Sequence, residues 1–180
     1  MDMSVKHVFI VFLLCLSMLT SGCSLVREAL GTNPRPEPPC NGPAFDLWNT
    51  REVLGPHEPF NIEAHRAATG TEPTTLDAIA AVAGWRGNWD RMIEVSEHAT
   101  TEKLVSWAGP ASVCWEGLTN DVAWTEGTSE GVYLFMDGGN PVQTVHYTGP
   151  DKLFFIGKIP PVVLRHDVLT PNGQYLLPPE

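Results

Sequence analysis

The sequence predicts an α+β domain: a mainly antiparallel meander sheet of about four to six strands with two or three short helices on one face. Three observations predict it. Val132–Met136 and Val142–Tyr147 are rich in β-branched and aromatic residues and flank Asp137-Gly138-Gly139-Asn140, the pattern of a hairpin. Further β-compatible segments follow at short spacing, Lys152–Ile156, Val162–Leu169 and Gln174–Leu177, linked by Thr148–Asp151 and Pro171-Asn172-Gly173. The helical patterns precede these strands and do not alternate with them, which argues against a parallel βαβ sheet.

Each earlier element has its own local signal. Leu54–Pro59 is broken by Gly and Pro and reads as a loop; Asn61 can cap a short helix over Ile62–Ala68, ended by Gly70. Thr74 or Thr75 can cap a second helix, with Asp77 near the positive end of its dipole and Gly84 as its stop. Leu76, Ile79, Ala80 and Ala83 form its apolar stripe. Gly87-Asn88 makes a turn, and Arg91–His98 reads as a strand. Thr100 or Thr101 caps a third helix, Glu102–Trp107, which Gly109-Pro110 ends. Ser112–Trp115 is a strand carrying Cys114, and residues 117–130 form a polar loop in which Val122 and Trp124 pair briefly.

The N-terminal segment is of another kind. Lys6 precedes an apolar stretch from Val8 to Leu19, about a dozen residues, which suits a signal peptide and is short for spanning ~30 Å of hydrocarbon. Leu19-Thr20-Ser21-Gly22-Cys23 follows and resembles the lipobox of bacterial lipoproteins, with Thr20 where the family usually has leucine. The resemblance implies that residues 1–22 are removed and that Cys23 receives the lipid and a palmitate-type acyl group at its new N-terminus. It further implies a protein held on the extracytoplasmic side of the cell membrane or outer membrane. Residues 23–43, with Pro34, Pro36, Pro38 and Pro39, read as an extended tether, and residues 44–180 as a single α+β domain.

Export sorts the four cysteines. Cys15 lies in the signal and Cys23 takes the lipid, so Cys40 and Cys114 remain as a disulfide pair in an oxidising compartment. A formal charge of −10, with Lys and Arg scattered singly, excludes a nucleic-acid surface and suits solubility or a basic protein partner.

Signals for chemistry are sparse. The histidines form no HExxH pair, and no G-x-S-x-G, S-x-x-K, Walker or G-x-G-x-x-G pattern occurs, so no catalytic residue, metal or cofactor is assigned. His146, His166 and Asp167 are the residues a spatially assembled hydrolase site would draw on, with Arg165 and Asp167 read as sharing one face of a strand. Six tryptophans are many for this length. Trp85, Arg86, Trp89 and Arg91 crowd one turn, either as a core plug or as a contact surface for a partner or ligand. The leading expectation is a non-catalytic, membrane-anchored protein whose domain binds another envelope protein as an adaptor, inhibitor or immunity factor. A carbohydrate- or small-ligand-binding module using tryptophan is the alternative, and a small hydrolase the third.

Overall fold

The computed structural model describes residues 40–96, 99–109, 113–118 and 130–180. The chain divides into Met1–Cys40 and Asn41–Glu180, and the elements below belong to the second unit. The lipobox with Cys23, His98 and Trp124 lie outside the described residues.

Period-two alternation in the strands sets the architecture. β3 (Arg91–Ser96), β5 (Gly131–Asp137), β6 (Asn140–Tyr147) and β7 (Val162–Leu164) form an antiparallel sheet in the order β6-β5-β3-β7. Met92, Tyr133, Phe135, Val145 and Val163 enter one apolar cluster, and their neighbours Ile93, Val95, Val132, Leu134 and Met136 enter another. Both faces of the sheet are therefore apolar, and both are covered. On the first face lie α1 (His57–Ala68) and α2 (Leu76–Val82), presenting Phe60, Ala64 and Ala68, and Leu76, Ile79 and Ala80. On the second lie α3 (Thr101–Ala108), presenting Leu104 and Ala108, and a parallel ribbon of β1 (Ala44–Asp46) with β4 (Cys114–Glu116). A smaller antiparallel sheet, β2 (Thr74–Thr75), β8 (Val168–Pro171) and β9 (Leu176–Leu177), runs in the order β2-β8-β9.

The α+β class and the mainly antiparallel pairing agree with the sequence, and so do the hairpin and two of the caps. Thr75 Oγ1 accepts from Ala78 N–H at 3.1 Å, and Thr100 Oγ1 from Lys103 N–H at 3.4 Å. Cys40 and Cys114 are joined as a disulfide.

Four details differ from the sequence reading, each for a physical reason. α1 begins a turn before Asn61, because Pro59 is tolerated in a first helical turn and the Glu52 carboxylate accepts from His57 N–H at 2.9 Å, supplying the missing cap. β3 enters the sheet between β5 and β7, since both of its faces are apolar. Lys152–Ile156 makes a single bridge, Phe154 to Leu176, and no full strand. The Tyr133 hydroxyl accepts the N–H groups of Leu153 and Phe154, at 3.0 and 3.2 Å, which removes them from any ladder. Val162–Leu169 is split by a turn in which Leu164 N–H donates to the Asp167 carboxylate and Asp167 N–H to the Leu164 carbonyl.

The first face holds most of the aromatic mass. Phe60 stacks on Trp85 at 4.4 Å and meets the edge of Phe135 at 5.5 Å, and Trp89 meets Phe135 at 5.3 Å. Pairs in such offset or edge-to-face geometry add to area burial. Burial pushes the Tyr133 hydroxyl above the ordinary phenol range, so it stays a neutral acceptor for the two amides.

Candidate functional site

Where the free edge of β6 meets the flank of α1, a cleft of about 660 Å³ opens, within the range usual for ligand sites. One wall is the exposed flank of α1. Asn61, Ile62 and His65 fall on it by helical spacing, because Phe60, Ala64 and Ala68 claim the core face. A second part of the lining is Trp48 with His146, rings edge to face at 5.1 Å. The floor and rim are Tyr147, Thr148, Pro150, Asp151 and Leu153, from the end of β6 and the 3-10 turn Gly149–Asp151, with Glu130 just before β5.

Trp48 is held from several sides. Its indole Nε1–H donates to the Gly117 carbonyl at 2.7 Å, and its backbone N–H donates to Asp46 Oδ1 at 2.9 Å. Gly117 has φ +79°, and a Cβ there would lie 2.5 Å from the indole Cδ1, so glycine is required twice over, for backbone and for space. Next to Trp48, Leu47 N–H donates to the Glu116 carbonyl at 3.1 Å, and Thr144 Oγ1 to the Asn49 carbonyl at 3.0 Å. The disulfide partner Cys114 stands opposite Ala44 in the same β1–β4 ribbon. Covalent bond, ribbon, Gly117 and Trp48 thus form one chain of support for this wall.

His146 has its pKa lowered, first by burial and then by the neighbouring His57. The Nε2 atoms of His57 and His146 are both buried without a hydrogen-bond partner. Thr148 Oγ1 donates to Asp151 Oδ2 at 2.7 Å, closing the turn at the rim. The nearest lysine, Lys152, turns its Nζ to Glu94 Oε1 at 2.5 Å, where Tyr147 Oη also donates at 3.0 Å. Among the described residues neither Lys nor Arg lines the cleft. Among the described residues, no group of three or more His, Cys, Asp and Glu is placed to hold a metal ion. The lining offers hydrogen-bond donors and acceptors around an aromatic wall, an arrangement for holding a ligand.

The residues singled out by sequence are scattered. Trp85 and Trp89 are 7% and 4% exposed; they serve as the core plug, with Trp85 Nε1–H donating to the Pro56 carbonyl at 2.9 Å and the Arg165 guanidinium 4.9 Å from the Trp89 ring. Arg86 is exposed, and Arg91 is held by Asp90 and by the Ala108 carbonyl. Of the three residues considered for hydrolysis, only His146 lines the cleft. His166 is exposed, 3.9 Å from Asp77, and Asp167 closes its turn. Arg165 pairs with Asp77 at 2.5 Å and not with Asp167, because the turn ends the strand alternation. Asn61, Ile62, His65, Glu130, Thr148 and Asp151 were not anticipated. The one available signal was the polar pair Asn61 and His65, four residues apart on a helix flank.

Among the described residues no helix is long and apolar enough to cross a membrane. In comparisons with known proteins, no family model, no curated protein and no solved structure matches the chain.

Proposed function

We propose that this is an exported protein, anchored through a lipid on Cys23, whose domain binds a ligand in the cleft between α1 and β6 without transforming it. The observation that supports this most is the cleft itself: about 660 Å³, with a Trp48–His146 wall braced by hydrogen bonds and a rim of polar side chains from several segments. A brace of this kind keeps a binding surface preformed and lowers the entropy lost on association. The Pro-rich stretch before Cys40 supports the anchored part of the reading, as a spacer between lipid and domain.

The experiment uses the full chain. Ile62 is 57% exposed on the cleft wall, so Ile62→Trp should fill the space without loss of fold. Wild type incubated with an envelope extract should retain a small molecule detectable by native mass spectrometry, and the Ile62→Trp protein should not. Equal retention by both would end the cleft reading. For the anchor, Cys23→Ser should leave the protein unprocessed or soluble; a processed, acylated, membrane-bound Ser variant would refute lipidation there.

A second reading, a protein partner, is favoured by the loop after the Phe154 bridge, where Phe155 is 54% and Ile159 90% exposed. Exposed apolar side chains grouped on one loop are the usual anchors of a protein interface. Retention of a protein from solubilised membranes that Ile159→Asp abolishes, and Ile62→Trp leaves intact, would select it.

A further inference from the structure

Building on the cleft reading, we propose that the ligand is a neutral, hydroxyl-rich ring with one apolar face, the chemistry of a sugar unit in a glycan. The lining restricts the class from three directions. An anion would meet the carboxylates of Glu130 and Asp151 with no Lys or Arg among the described lining residues, and Lys152 is already paired with Glu94. A purely apolar ligand would strand the Asn61 amide and the Glu130 carboxylate away from water, at the cost of unmade hydrogen bonds. An ammonium only donates, whereas the Asn61 amide carries a donor beside an acceptor. A hydroxyl, which both donates and accepts, matches that mixture, and the carboxylates accept from further hydroxyls.

The geometry adds the remaining requirement. Trp48 and Ile62 both line the space, giving apolar surface for the C–H face of a ring, and Asn61 and His65 line it with them. The buried, unpartnered Nε2 of His146 stands beside the Trp48 ring. With that atom closed off from solvent, the imidazole serves as backing for the Trp48 ring. Sugar recognition asks for this combination: an aromatic platform and a ring of paired donors and acceptors.

The test is a titration of the full chain in micelles of a detergent without sugar headgroups. The probes are neutral disaccharides (maltose, cellobiose and N,N′-diacetylchitobiose), spermidine as the cationic control and glucose 6-phosphate as the anionic one. The readouts are calorimetry and the side-chain resonances of Asn61 and His65. A neutral disaccharide should bind and shift those resonances, and the two charged probes should not. Asn61→Ala should weaken binding by about tenfold, and Trp48→Ala by more. Because Trp48 also braces the ribbon, Ile62→Glu on the exposed helix flank supplies a second test that does not depend on that brace. Binding of spermidine or glucose 6-phosphate in the cleft, with no neutral sugar bound, would overturn the ligand class and leave the cleft reading standing. Failure of every probe to shift the cleft resonances would count against both. A sugar whose affinity is indifferent to Asn61→Ala and Ile62→Glu would overturn the assignment to this site.

Discussion

The two faces of the central sheet are built by different means. Under α1 and α2, seven aromatic rings, Phe60, Trp85, Trp89, Tyr133, Phe135, Tyr147 and Phe154, interlock around the sheet. Under α3 and the β1–β4 ribbon the buried side chains are mainly aliphatic, Trp48, Trp107 and Trp115 are only partly buried, and the disulfide closes the ribbon. Stability on the first face comes from packing. On the second, a covalent bond limits the unfolded chain and stands in for packing that short elements cannot supply. The cleft lies where the two meet, with one wall from each, so one wall is rigid by density and the other by cross-link.

Core truncation should show the contrast most strongly. Phe60→Ala removes a ring at the centre of the aromatic network and should cost about 3–5 kcal/mol in urea unfolding. Leu104→Ala on the other face should cost about 2–4 kcal/mol, at the lower end if the sparser surroundings relax into the gap. Equal costs would erase the distinction between the faces.

Next in size is the disulfide. The Cys40→Ala, Cys114→Ala double variant should lose about 2–4 kcal/mol. Hydrogen exchange should rise first in β1 and β4 and last in β5 and α1. Uniform loss of protection would mean that the cross-link supports the whole domain and not one wall. Gly117→Ala asks the same question more locally. Its positive φ and the 2.5 Å approach to the Trp48 ring predict a cost of about 1–3 kcal/mol and a displaced indole, visible as loss of the Trp48 Nε1–H hydrogen bond.

The smallest effect is on pH. His146 has a folded-state pKa below its ordinary 6.5 because it is buried. The unfolded chain therefore takes up this proton first as pH falls. Stability should be full above about 6.5 and decline below it. Urea midpoints measured from pH 8 to pH 5.5 should bend there, and His146→Gln should straighten that bend.

Local chemistry was legible wherever one residue acts on its own neighbourhood. Thr75 and Thr100 cap their helices, Gly138 turns the hairpin, and Cys40 finds Cys114 once export is assumed. What escaped reading depends on a group distant in sequence. The Tyr133 hydroxyl strips Leu153 and Phe154 from a strand, and Asp77 draws Arg165 away from Asp167. The cleft is the extreme case. Its walls come from the chain around Trp48, Asn61 and His146, segments that no local motif joins. The tryptophans that looked functional by crowding, Trp85 and Trp89, crowd because the core needs them there.

The bond between Cys40 and Cys114 also has a consequence for chain scission. The covalent loop it closes contains α1, α2, β3 and α3. A protease that cuts once anywhere within that loop leaves the two fragments joined, running as one species until a reductant is added. If Cys23 carries the lipid, the C-terminal fragment, with β5, β6 and most of the cleft rim, stays at the membrane after such a cut. A cut beyond Cys114 leaves everything downstream held by noncovalent packing alone. The disulfide therefore draws a boundary between cuts that leave the two fragments covalently joined and cuts that do not.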